Sequence, residues 1–140
     1  MKILLAVDGS EYTRKMIDYV CSNRALFDAS HEYVVFTAPL AVPPHAKSAV
    51  GSAAVHDYHV EEADKVLKPA LAHLDERGLS ARSAWKAGPA GETIAQFARE
   101  GGFDMIIMGS QGHGALARLV MGSVTTEVLA NCGVPVLLIR

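Results

Sequence analysis

The residues best suited to chemistry fall in one stretch, Gly109-Ser110-Gln111-Gly112-His113-Gly114, closing with Met121-Gly122-Ser123. It starts where an apolar run ends and finishes where a helical pattern begins. Glycines there let the chain take left-handed conformations and let a ligand approach backbone N–H groups closely. The helix start adds unpaired N–H donors and the positive end of a dipole. The hydroxyls of Ser123, read as the helix N-cap, and Thr125 sit where they would bond a phosphate oxygen or a hydrated metal. Together these groups describe an anion cradle. The two standard phosphate motifs are absent, since there is no GxxxxGK[ST] and no GxGxxG after the first strand-like run.

Other polar residues are weaker candidates. Asp8 ends the first apolar run and reads either as a ligand group or as a turn former. His113 lies inside the cradle and reads equally as a phosphate contact or a solvated loop histidine. His56-x-x-His59 has the spacing for a shared metal on one helix face, but with no third ligand it reads as a solvated pair. Arg118 reads as a surface side chain. Cys21 and Cys132 form no CxxC pair or disulfide framework and read as packing thiols.

The elements that must position these groups alternate along the chain. Lys2 to Val7 is continuously apolar after the lysine, as in a strand covered on both faces. Ser10 is placed to cap a helix reaching about Phe27. Glu32 to Ala38 is a second strand, and Pro39 to Ala53 reads as a long loop. A helix from about Val55 to Arg77 carries Ala63, Val66, Leu67, Ala70, Leu71 and Leu74 at helical spacing, with Pro69 expected to kink it and Gly78 to end it. A weak strand from Ser80 to Ala87, a helix from Ala90 to Glu100 and a strand from Phe103 to Met108 follow. Beyond the glycine-rich segment, with a helical turn expected near Leu116 to Leu119, come a helix starting at Ser123 and a strand from Pro135 to Ile139. Strict alternation implies a parallel sheet with helices on both faces and right-handed crossovers.

The 140 residues suit a single domain spanning 1–140, and half of them are hydrophobic. With a formal net charge of −2 and no basic block, nucleic acid is not an expected partner. No apolar run approaches the roughly 18–20 residues that cross a bilayer, and the start lacks a signal-peptide pattern. A reducing cytoplasm is the expected location.

The spacing Gly109-x2-Gly112-x9-Gly122-Ser123 resembles the nucleotide signature of the universal stress protein family. The resemblance extends to Ile3-Leu4-Leu5-Ala6-Val7-Asp8-Gly9-Ser10, Gly88-Pro89-Ala90 with Ile94, Asp104 to Ser110, and Pro135 to Ile139. It implies a Rossmann-like, adenine nucleotide alpha hydrolase-like fold: a single open five-stranded parallel sheet in the order 3-2-1-4-5. Strands one and four would then flank the switch point where open α/β sheets bind ligands. Carried over residue by residue, the resemblance implies that Ala6, Val7 and Asp8 line an adenosine and that Ala38 offers backbone contacts to adenine. Met108, Gly109 and Gly112 would bound the ribose and phosphates, with His113 beside them. Gly122, Ser123, Val124 and Thr125 would hold the phosphates. Thr37-Ala38-Pro39 departs from the family pattern, which often has a histidine and a valine there.

The implied ligand is ATP, or AMP or ADP, with Mg²⁺ or Mn²⁺ on the phosphates and no direct protein ligand to the metal. The apolar last strand would be a sheet edge, so a homodimer paired through Pro135 to Ile139 is expected. The leading reading is a nucleotide-binding stress-response module without catalytic residues. The alternatives are a slow ATPase or autophosphorylating protein, and a structural dimer that no longer binds nucleotide.

Overall fold

The computed structural model describes residues 1–111 and 121–140, so Gly112, His113, Arg118 and the turn expected near 116–119 lie outside the described residues. The elements run β1 (Lys2–Ala6), α1 (Glu11–Ser22), β2 (Glu32–Thr37), α2 (Pro44–Val50), α3 (Ser52–Glu76), β3 (Arg82–Trp85), α4 (Ala90–Glu100), β4 (Met105–Gly109), α5 (Ser123–Asn131) and β5 (Val136–Ile139). The five strands form one sheet in the order β3-β2-β1-β4-β5, as the alternation and the resemblance led one to expect. Every pairing is parallel; Ile3 stands opposite both Tyr33 of β2 and Met105 of β4.

The central strand feeds two cores. Ile3, Leu5 and Val7 pack with Met16, Ile17 and Val20 of α1 and with Ala63, Leu67, Ala70 and Leu74 of α3. Leu4 and Ala6 pack on the opposite face with Ile94 and Ala98 of α4 and Val128 of α5. Ile3, Leu4 and Leu5 are fully buried, and each such side chain contributes about 1.5–3 kcal/mol by leaving water. Burial on both faces is why β1 shows no polar alternation.

Helix α3 runs antiparallel to the strands. Its last turn ends in a Schellman motif: Gly78, at φ +79°, donates its N–H to Asp75 O, and Leu79 N–H reaches Leu74 O. This end delivers the chain to the start of β3, so the opposite end of α3 overhangs the carboxyl edge of the sheet. The segment read as a loop over 39–53 contains α2, with Pro44 in its first turn as a helix start favours. That helix buries none of its residues, so it left no apolar stripe to find.

Candidate functional site

The site grows from the carboxyl ends of β1 and β4. After β1 the chain turns sharply: Gly9 has φ +78°, and Asp8 Oδ1 accepts hydrogen bonds from Ser10 N–H at 2.9 Å and from the Thr13 hydroxyl at 3.1 Å. Thr13 Oγ1 in turn accepts from the N–H groups of Asp8 and Gly9 at 3.1 and 3.2 Å. Asp8 therefore forms the turn that starts α1, and its residue remains exposed at the end of the central strand. Ser10 is the N-cap of α1 by backbone geometry, but its hydroxyl makes no capping bond.

Opposite this turn, β4 ends against α1. A Cβ on Gly109 would lie 2.6 Å from Tyr12 Cβ, so only glycine lets the first turn of α1 pack on the strand end. Neither Gly109 nor Gly122 has positive φ, so the expected left-handed conformation is absent at both; Gly109 provides close approach, whereas a Cβ on Gly122 would make only an ordinary contact. Ser110 N–H bonds Ile139 O at 2.8 Å, and Gly122 N–H returns to Ser110 O at 3.0 Å. The start of α5 is thereby tied to the end of β4.

The start of α5 differs from expectation by one residue. Gly122, extended at φ −61° and ψ 154°, is the N-cap, and Ser123 is the first helical residue. An N-cap needs extended backbone, which Ser123 does not have. Among the described residues no side chain caps this end, and the first helical bond runs from Thr126 N–H to Gly122 O. The amides of Ser123, Val124 and Thr125 thus precede the ladder, and none is taken up by a described residue. Ser123 is exposed, whereas Thr125 is buried, with its hydroxyl 3.4 Å from Gly109 O and 3.5 Å from Ser110 O. Thr125 therefore acts through the strand–helix junction, with its amide left toward the crevice.

The remaining expected residues surround the same crevice. Ala6, Val7 and Met108 are buried, and Val7 N–H bonds Phe36 O at 2.9 Å. Ala38, half-buried, follows β2 and stands level with Asp8 when the register is continued. Helices α1 and α5 leave β1 and β4 on opposite faces, which makes this the topological switch point. Among the described residues no group of three or more His, Cys, Asp or Glu could hold a metal.

Over residues 1–140 the sequence matches the profile of the Universal stress protein family. The chain belongs to this family. It is similar to universal stress protein YxiE of Bacillus subtilis, 27% identical over 99% of this chain and 98% of that protein. It is also similar to Slr1230 of Synechocystis, at 29% identity over 99% of this chain, and spans only 42% of that relative's length. Among solved structures, MJ0577 of Methanocaldococcus jannaschii superposes with a TM-score of 0.78 over 99% of this chain and 94% of that one, at 26% identity. The fold is also shared with a universal stress protein of Archaeoglobus fulgidus solved in complex with dAMP, at a TM-score of 0.71, 20% identity and coverage of 100% and 98%.

Beyond the residues expected of a universal stress protein, the structure adds two at the crevice. Thr13 and Tyr12 shape the β1 turn and the β4 end. His59, read as solvated, is buried instead, continuing the inward stripe of α3 through Val55, Ala63, Leu67, Ala70 and Leu74. That four-residue spacing was the available signal; His56 is exposed as expected. No helix among the described residues is long and apolar enough to cross a membrane.

Proposed function

We propose that this chain is an adenine-nucleotide-binding regulatory module of its family. The carrying observation is the meeting, at the switch point, of the Asp8 turn with an α5 N-terminus that no described side chain caps. Backbone amides at a helix start suit phosphate oxygens, and the dipole adds to the attraction. The universal stress protein of Archaeoglobus fulgidus carries dAMP and one of Arabidopsis thaliana carries AMP, both on this fold. In this reading Asp8, Ala6, Val7 and Ala38 face the nucleoside, while Met108, Gly109 and Gly112 bound the ribose and phosphates, with His113 beside them. The amides of Ser123, Val124 and Thr125 take the phosphates, with Gly122 as the N-cap that brings the chain close to them. ATP is the intended ligand, with Mg²⁺ or Mn²⁺ carried on its phosphates.

The test is mass spectrometry of ligand released on denaturation, with magnesium-ATP calorimetry on the stripped protein. A Cβ on Gly122 would meet Ser110 O at 3.4 Å, an ordinary contact, so Gly122→Val should keep the fold and lose nucleotide. Nucleotide binding that survives this change would place the ligand elsewhere. We extend the reading to a homodimer paired through Pro135 to Ile139. Strand β5 is a sheet edge, with Val136, Leu137 and Leu138 only half-buried. Val136→Glu should give a monomer in sedimentation, and a persisting dimer would put the interface on another surface.

A further inference from the structure

Thr13 stands in the first turn of α1 beside the Asp8 turn and is buried, at 8% exposure. Its hydroxyl has a single proton to donate and two lone pairs to accept with, and all of this capacity is used. Oγ1 accepts from the N–H of Asp8 at 3.1 Å and from the N–H of Gly9 at 3.2 Å. A backbone N–H cannot accept, so the hydroxyl proton goes to Asp8 Oδ1 at 3.1 Å. That same oxygen takes the N–H of Ser10 at 2.9 Å. Thr13 therefore grips both the backbone and the carboxylate of the residue that ends the central strand. Ser10, the N-cap, makes no side-chain capping bond, so Thr13 and Asp8 organise the start of α1 instead. Asp8 and Gly9 are themselves exposed at the crevice. A buried hydroxyl thus fixes the pose of an exposed carboxylate.

We infer that Thr13 is a positioning residue for sugar recognition: through Asp8 it makes the crevice select a nucleotide that carries ribose hydroxyls. The inference rests on the nucleotide reading proposed above and names the group that tunes its sugar specificity. An ionised carboxylate only accepts hydrogen bonds, and the 2′ and 3′ hydroxyls of ribose are two adjacent donors. Bonds to an ionised acceptor are stronger than neutral ones, but they weaken steeply when the geometry is poor. An exposed carboxylate that rotated freely would surrender that freedom on binding, whereas one whose Oδ1 is already held by two donors has little left to lose. Thr13 does not meet the sugar itself, because its residue is buried and its hydroxyl is saturated. Its effect passes through Asp8. The α5 amides belong to the other strand–helix junction, after β4, so the sugar and phosphate contributions are separable.

The experiment compares magnesium-ATP with magnesium-2′,3′-dideoxy-ATP, which lacks both sugar hydroxyls. Wild type, Thr13→Val, Thr13→Ser, Asp8→Ala and the double variant Asp8→Ala with Thr13→Val are titrated by calorimetry. Valine keeps the shape of threonine without its hydroxyl, and serine keeps the hydroxyl. Wild type should prefer ATP by about tenfold, the size of one hydrogen bond to a carboxylate. Thr13→Val should lose most of that preference, weakening for ATP while holding its affinity for the dideoxy nucleotide, and Thr13→Ser should retain it. In the Asp8→Ala background the valine change should cost no further ATP affinity, since Thr13 acts through Asp8. A threonine that only supports the fold would weaken both nucleotides alike, with or without Asp8. A preference that survives Thr13→Val, or an equal loss for both nucleotides, overturns the inference. Should the valine variant fail to fold, Thr13→Cys, whose thiol donates and accepts only weakly, should show a reduced preference, and an undiminished one overturns the inference. A wild type that binds both nucleotides equally also overturns it, whereas a wild type that ignores both defeats the nucleotide reading itself.

Discussion

Replacing Gly91 by alanine gives a test in which two physical effects oppose one another. Gly91 is in the first turn of α4, where alanine is the better helix former by up to about 1 kcal/mol. Against this, a Cβ at position 91 would stand 2.3 Å from Glu127 Cβ and 2.5 Å from Glu127 Oε2 of α5. Carbon atoms rest at about 3.5–4.0 Å, so α4 and α5 must separate by more than about 1 Å. Glu127 Cβ belongs to the α5 backbone frame, so rotation of the side chain gives no relief. Separation would loosen Val128 against Ile94 and Ala98 in the core below. Overpacking of this kind costs about 1–3 kcal/mol and outweighs the helix gain. The expected net loss is about 1–2 kcal/mol, read from urea unfolding as a lower midpoint at constant slope. The same movement carries the α5 N-terminus with it, so magnesium-ATP affinity should fall alongside stability. Glu127→Gly in the Gly91→Ala background should recover part of the loss, because it removes the atom that is struck. A Gly91→Ala protein as stable as wild type, or more so, would refute the close-packing account of this helix pair.

Two further outcomes follow from buried titratable groups. Burial pushes the Tyr33 phenol up to about 12, and its hydroxyl donates to Asp28 O at 2.9 Å. The folded state therefore favours the protonated phenol: this contribution is intact below pH 10 and is lost as pH rises toward 12. Tyr33→Phe should flatten the decline in stability over that window, and an unchanged decline would remove Tyr33 as its source. Burial also raises the Cys21 thiol, with Arg24 and Arg77 opposing the shift more weakly, whereas Cys132 is half-buried. Iodoacetamide should therefore modify Cys132 well before Cys21 in the native protein, with the order erased in urea. Faster labelling of Cys21 would contradict its placement in the α1 core.

Much of the fold could be read from the chain because its signals are local. The apolar runs at Ile3 to Val7 and Val134 to Ile139 announced strands, and α4 falls where its stripe of Ile94, Phe97 and Ala98 predicts. The short β3 was read too long because Arg82 and Ser83 are exposed on an edge strand and give no apolar pattern. Helix α2 was invisible for the related reason that it buries nothing. At the candidate site, spacing placed Asp8, Gly109 and Gly122 together but misjudged why the glycines are there. Gly109 is dictated by Tyr12 of α1 and Gly91 by Glu127 of α5, contacts between segments far apart in sequence. His59 was misread for the same reason, since its burial depends on Trp85.

The position of β1 has a consequence for biosynthesis. Ile3 leaves the ribosome well before one of its two paired neighbours, Met105, about a hundred residues further along the chain. At about 5–20 residues per second, one edge of a strand apolar from Ile3 onward waits roughly 5–20 s for its partner. During that interval β1 and β2 can pair, but the face that α4 and α5 will cover is open. This strand order therefore leaves the nascent chain exposed to association through β1, a hazard that ends only when β4 arrives.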